Sequence, residues 1–198
     1  PAAVQRAVVQ YPYPQPRVVA LPGGYNSPNQ KLRDQAPMSS IRIGHGYDVH
    51  AFTGGSGFVL GGVEISCDKA VLAHSDGDVL IHALCDALLG ALGRGDIGQL
   101  FPDSDAANKG RDSREFLRAV KDLADQDGMR LGNADITVIL QAPKIGARLQ
   151  AMQQVLAGEL DCPLNSINIK ATTTETLGFI GREEGIAVEA VVVLEPAA

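Results

Sequence analysis

Little in this chain points to a fold held by cross-links. Its three cysteines, Cys67, Cys85 and Cys162, are odd in number, widely spaced and never arranged as Cys-x-x-Cys. That excludes a disulfide framework and a zinc knuckle, and leaves three small hydrophobes in a reducing compartment. Long apolar runs are also lacking. The two most hydrophobic stretches, Val79–Leu92 and Ile186–Leu194, are interrupted by His82 and Asp86 and by Glu189, and neither approaches the roughly 18 residues that span a bilayer. Positive charge is scarce: the net charge of −6 argues against nucleic acid or an anionic membrane surface as a partner. A small anionic substrate stays open, because a few placed cations and backbone amides suffice to hold a phosphate. There is no P-loop, no G-x-G-x-x-G after a strand and no G-x-S-x-G, which removes the common nucleotide and hydrolase readings.

The 198 residues suit one domain with a core large enough to need no structural metal, so any metal is free to serve chemistry. Residues 1–37 differ from the rest. They hold seven of the eleven prolines, four basic residues and a single acid, Asp34, with neither helical nor strand period. They read as a flexible or extended leader, or upstream sequence, ahead of a domain over 38–198 that opens at Met38. A targeting peptide is the rival reading, so both a bacterial cytoplasm and a plastid remain open as locations. The body has 13 basic and 22 acidic residues and contains all four histidines.

Strands and helices alternate along the body. The patterns predict strands at Ile41–His50, at Phe58–Ile65 around Gly61-Gly62, at Asp135–Gln141, at Ile167–Thr173 and at Ile186–Leu194. They predict helices from Asp76 or Gly77 to Leu92, from Asp112 or Ser113 to Gln126, and over Ala147–Leu160. The fold class expected is α/β (or α+β), a single domain with a sheet covered by helices on one face.

The histidines His45, His50, His74 and His82 fall within one short region. Asp48 and His50 stand at i and i+2 on a predicted strand and so share a face. His82 lies on the next helix, with Asp78 one turn before it and Asp86 one turn after. Two histidines and a carboxylate on rigid elements suit a divalent metal with an open fourth position. A plain hydrogen-bonded strand end and a satisfied core histidine are the alternative. His74-Ser75-Asp76-Gly77-Asp78 leads into that helix, where free amides favour an anion, although Asp76 or Asp78 could simply cap it. Thr172-Thr173-Thr174-Glu175 ends a strand ahead of Gly178, Gly181 and Gly185 and could hold phosphate beside a hard cation. Gln141-Ala142-Pro143-Lys144 could offer backbone groups to a base or form an ordinary turn.

Taken in order, Gly44-His45-Gly46-Tyr47-Asp48-Val49-His50-Ala51-Phe52, Leu72 through Asp78 to His82-Ala83-Leu84, Gly95-Asp96-Ile97-Gly98, Phe101-Pro102-Asp103, Gln141 to Lys144 and Lys170 to Glu175 closely resemble the 2-C-methyl-D-erythritol 2,4-cyclodiphosphate synthase family of the non-mevalonate isoprenoid pathway. The resemblance spans about Ile41 to Leu194. Tyr47, where the family often has Phe, and Ile145-Gly146, where a bulkier pair is common, depart from it mildly.

The resemblance implies cyclisation of 4-diphosphocytidyl-2-C-methyl-D-erythritol 2-phosphate to the cyclic diphosphate with loss of CMP. It implies Zn²⁺ on Asp48, His50 and His82, and Mg²⁺ or Mn²⁺ on Glu175. His74 and Thr173 would stabilise the transition state, with Ser75 near the 2-phosphate. Asp96, Ile97, Gly98, Phe101, Pro102, Asp103, Ser104 and Asp105 would hold the methylerythritol. The backbone of Leu140, Gln141, Ala142, Pro143, Lys144, Ile145 and Gly146 would cradle cytosine. Thr172, Thr174, Phe179 and Arg182 would complete the pocket. A homotrimer with active sites between subunits is implied as well. A zinc-dependent phosphohydrolase and a non-catalytic trimer that binds an isoprenoid or nucleotide are the rivals to this reading.

Overall fold

The structure, a computed structural model, describes residues 40–197 apart from Asp103. The expected leader over 1–37, Met38 and Asp103 lie outside the described residues. Among the described residues, seven strands and five α-helices follow in sequence: β1 (Arg42–Gly54), β2 (Phe58–Leu60), β3 (Val63–Ile65), β4 (Lys69–Val71), α1 (Val79–Leu92), α2 (Ile97–Leu100), α3 (Ser113–Gln126), β5 (Met129–Ile139), α4 (Leu149–Glu159), β6 (Ile167–Thr172), α5 (Gly178–Gly181) and β7 (Gly185–Pro196). The main sheet has the order β4-β1-β7-β5-β6. Every pairing in it is antiparallel except β5 with β6.

Alternation along β1 and β7 sorts their side chains between two faces. Ile186, Val188, Ala190, Val192 and Leu194 point into the core, while Glu189 and Val191 point out. Helix α1 lies on the inner face, and its eleven buried residues make it the centre of the core. It sits unusually close to β1. A Cβ on Gly44 would meet the Ala87 carbonyl oxygen at 1.8 Å, and one on Gly46 would meet that of Ala83 at 1.9 Å. Two glycines on the strand and Ala83, Ala87 and Ala91 on the helix thus bring the two backbones into contact, which sets the position of His82 relative to Asp48.

Asp78 holds the start of α1. It is fully buried, accepts the Ile81 amide as the helix cap, and reaches the turn between β2 and β3 to accept from Gly61 and Gly62 at 2.9 and 2.7 Å. Burial pushes its carboxyl above the usual range, and three backbone N–H donors offset the cost of that burial. Helix α3 packs on α1 through Phe116, Leu117, Val120 and Ala124, an i, i+1, i+4, i+8 stripe.

Sheet and helices stand as expected, with differences at the edges. The strand expected over Phe58–Ile65 is a hairpin, because Gly61 and Gly62 both adopt left-handed φ, 57° and 71°. Strand β5 begins six residues before Asp135 and passes a register shift between Leu131 and Asn133, an irregularity that breaks the period-two pattern. The short elements β4, α2 and α5 are too brief for a periodic signal. The outer face of the sheet exposes Ile43, Tyr47, Val49 and Val191, and the helices α1 and α3 lie on the other side.

Candidate active site

Strand β1 turns Asp48 and His50 to the inner face, and α1 turns His82 toward them. One donor atom from each lies within 4.8 Å of the others. The Asp48 Oδ2 atom is 3.1 Å from His82 Nδ1 and 3.2 Å from His50 Nδ1, and the two imidazole rings are 5.3 Å apart. Burial alone would raise the Asp48 carboxyl, but the imidazoles beside it hold it down at about 2. Burial would lower His50, and the adjacent carboxylate outweighs that and raises it. The Nδ1 atom of His50 is buried without a hydrogen-bond partner despite its approach to Asp48. An orphaned imidazole nitrogen beside a carboxylate and a second imidazole fits a bound cation. The N₂O donor set fits zinc with one position left for substrate.

This cluster lines a cleft of about 350 Å³ that also holds His74, Ser75, Ile97, Gly98 and Phe101. The Nε2 atom of His74 is buried there without a partner, a polar atom left unsatisfied beside the cleft. Phe101 packs on Phe116 with ring centres 4.6 Å apart, and the Arg111 guanidinium lies 5.1 Å from the Phe116 ring centre. Asp86 and Asn108 line it as well. Asp86 accepts the Ile97 amide at 2.7 Å, fixing the loop that carries Ile97 and Gly98. Asn108 and Phe116 were not expected at the site. Phe116 reads only as a core position of a helix, and Asn108 has no local signal.

Other expected residues take structural roles or lie elsewhere. Asp96 and Asp105 cap short helical turns through the Gln99 and Ala107 amides, and Pro102 accepts from the Asn108 side chain. With Ser104, these three stand outside the lining of the cleft. The amide of Ile81 at the start of α1 is occupied by Asp78, the capping role named above as the alternative to an anion contact.

A second group collects where β5 and β6 end side by side. The Leu140 amide donates to the Thr172 carbonyl at 2.9 Å, and the Thr176 amide to the Gln141 side chain at 3.4 Å. Thr173 donates its hydroxyl to Glu175 at 2.7 Å, and both Glu175 and Thr176 have left-handed φ. Ile145 is buried, while Lys144, Gly146, Phe179 and Arg182 are exposed. None of the expected residues from Leu140 to Gly146, from Thr172 to Glu175, or Phe179 or Arg182 lines the cleft with His82. Across the sheet Asp48 pairs with Val188, and Val188 with Val138, so β7 stands between the two groups.

A sheet with helices on one face and a carboxylate and two imidazoles in a cleft define a small α/β domain with a site that could hold a metal. Comparison with known proteins gives the family. The YgbB family matches residues 41–195. A 2-C-methyl-D-erythritol 2,4-cyclodiphosphate synthase from Thioalkalivibrio sulfidiphilus is 61% identical over 158 residues, 80% of this chain and 99% of its own length. Among solved structures, IspF of Plasmodium falciparum in complex with CDP is 37% identical with a TM-score of 0.72, over 81% of this chain and 99% of that one. The bifunctional IspDF of Campylobacter jejuni is 48% identical with a TM-score of 0.77, over 79% of this chain but 42% of the longer protein. The chain belongs to the YgbB family, that of the 2-C-methyl-D-erythritol 2,4-cyclodiphosphate synthases.

Proposed function

We propose that this chain converts 4-diphosphocytidyl-2-C-methyl-D-erythritol 2-phosphate into 2-C-methyl-D-erythritol 2,4-cyclodiphosphate and CMP, as a phosphorus–oxygen lyase of isoprenoid precursor biosynthesis. The observation that carries this reading is the Asp48–His50–His82 cluster in one cleft with His74 and Ser75, in a chain of this family. An oxygen of the 2-phosphate forms a bond to the β-phosphorus. The bond from that phosphorus to the bridging oxygen breaks, and CMP leaves with the electron pair; no water is consumed. The residues therefore need only position the phosphates and offset their charge.

Asp48, His50 and His82 would hold Zn²⁺, which supplies Lewis acidity to a phosphate oxygen. Glu175, exposed at its turn, would hold Mg²⁺ or Mn²⁺ beside the diphosphate. The unpartnered Nε2 of His74 and the Ser75 hydroxyl would bind the 2-phosphate, with Ile97, Gly98 and Phe101 against the methylerythritol. Asp96 and the loop from Pro102 to Asp105, including Asp103, would border that subsite. The Leu140–Gly146 backbone with Thr172, Thr173, Thr174, Phe179 and Arg182 would take the cytidine and its phosphates. The domain responsible is residues 38–198. Bacterial relatives support a bacterial cytoplasm as its location.

A homotrimer follows from the same reading. The outer face of the sheet exposes Ile43 at 71%, Tyr47 at 48% and Val191 at 42%, a surface that closure around a symmetry axis would bury. The two groups of site residues are separated within one chain, which supports a site shared between neighbours. Phosphorus NMR of the purified chain with substrate and Mg²⁺, run beside His82→Ala, tests the reaction. Cyclic diphosphate and CMP from the wild type alone are expected. Linear phosphates would favour a hydrolase, and no turnover by a zinc-loaded trimer would favour a binding module.

A further inference from the structure

We infer that Ser113 and Asp76 form a hydrogen-bonded relay that fixes the ring orientation and proton position of His82, so that Nδ1 is the atom offered to the metal. The inference rests on reading Asp48, His50 and His82 as a metal centre. Ser113, the first residue of α3, is fully buried. Its amide donates to Asp76 Oδ2 at 3.0 Å and its hydroxyl to Asp76 Oδ1 at 2.5 Å. Asp76 Oδ1 also accepts the Asp78 amide at 3.2 Å, so both of its oxygens act as acceptors.

A serine hydroxyl has one proton to give. With that proton committed to Asp76, Ser113 Oγ can meet His82 Nε2, 2.9 Å away, only as an acceptor. Nε2 must then carry the hydrogen. Ser75 Oγ, 3.2 Å from the same nitrogen, itself accepts the Gly77 amide and offers a second acceptor to that hydrogen. A neutral ring protonated at Nε2 keeps its lone pair on Nδ1, which faces Asp48 Oδ2 at 3.1 Å. With a hydrogen held on Nε2 by the relay, Nδ1 is the nitrogen left to take the metal, as the outer partners of metal-bound histidines arrange.

Neither Ser113 nor Asp76 lines the cleft, so both are positioning residues. Asp76 has a second effect. By accepting the Ser113 amide it satisfies one of the free N–H groups at the start of α3, so the helix that packs Phe116 against the site starts on the group that orients His82.

The test measures zinc affinity of the full chain by competition with a chromophoric chelator, for the wild type, Ser113→Ala and Asp76→Asn. Thermal unfolding of the metal-free proteins is followed alongside, and nitrogen NMR of the zinc-loaded wild type locates the ring proton. Ser113→Ala should bind zinc about 10–100-fold more weakly, with the metal-free protein still folding cooperatively at a somewhat lower unfolding temperature for the lost buried hydrogen bond, and with turnover restored by excess zinc. Asp76→Asn should lose at least as much, since an amide offers one acceptor atom to the two Ser113 donors. The His82 proton should be on Nε2. Affinity within about twofold of wild type for Ser113→Ala, or a proton on Nδ1, overturns the relay. A wild type that takes up no zinc overturns the metal reading and the relay together, and is told apart from relay failure because there the wild type still binds.

Discussion

The cleft around His82 and the turn around Glu175 differ in how much of their geometry one chain supplies. Around His82 the side chains hold one another: Asp48 meets two imidazoles, His82 meets Ser113, and Asp78 ties the helix to the β2–β3 turn. Around Glu175 the side chains face solvent, and Glu175 and Thr176 sit at φ 51° and 67°, a left-handed geometry that costs roughly 1–2 kcal/mol per residue. The first region is preorganised by its own core. The second lies at the end of the β5–β6 edge of the sheet and, on the proposed function, is completed by a substrate and a neighbouring subunit. A phosphoryl transfer that relies on positioning needs both, so each should fail in its own way when disturbed.

The largest effect should come from the preorganised side. His82→Ala removes one of the three proposed ligands and should abolish tight zinc binding and cut turnover at least about 10³-fold, read by metal analysis and phosphorus NMR. Retained zinc with retained turnover would show that the cluster is not the catalytic centre. Next, Glu175→Gln should slow turnover about 10²–10³-fold while zinc content and unfolding temperature stay at the wild-type values. Parallel loss of zinc in this variant would break the comparison by showing that the two regions are one unit.

Smaller again is an effect on assembly of the first region alone. Gly46→Ala would place a methyl group 1.9 Å from the Ala83 carbonyl oxygen. Backbone on both sides leaves no side chain to yield, so α1 must shift outward, at a cost of about 1–3 kcal/mol. For a domain of this size each kcal/mol lowers the unfolding temperature by about 2–4 °C. Zinc affinity should fall too, because His82 moves with the helix. Unchanged zinc affinity in a destabilised variant would show that the strand–helix contact serves stability only.

How much of this was legible in the sequence follows the same division. Asp48, His50 and His82 were readable because a strand's period of two and a helix on its inner face leave few ways to arrange them. The long strands and α1 were readable from periodicity, and Gly44, Gly46 and the alanines of α1 are intelligible once paired. Asn108 and Phe116 were not, because contacts made across α3 depend on tertiary packing that local pattern does not encode. Ser113 could be read only as a candidate cap, since its role depends on Asp76, 37 residues away. Thr173 and Glu175 carried a weak signal of their own, hydroxyls and a carboxylate at a strand end that could hold phosphate and a hard cation, whereas Arg182 was nameable only from the likeness to a family.

The smallest effect concerns pH, and it separates the metal-free from the metal-bound form of the first region. The Asp48 carboxyl, held at about 2 against its ordinary 3.8, contributes stability that is full above its ordinary value and lost as pH falls through about 2. The His50 imidazole is raised above its ordinary 6.5, so its contribution is full below that value and lost as pH rises through the raised one. The metal-free protein should therefore be most stable between those two ordinary values and should unfold at a lower temperature as pH goes from about 6 to about 8. Zinc requires deprotonated imidazoles, so the stabilisation it confers should grow over the same interval. Asp48→Asn should flatten the metal-free slope by removing the charge that raises His50. Parallel profiles with and without zinc would mean that metal and proton do not compete for His50, and that the cluster's close contacts are structural.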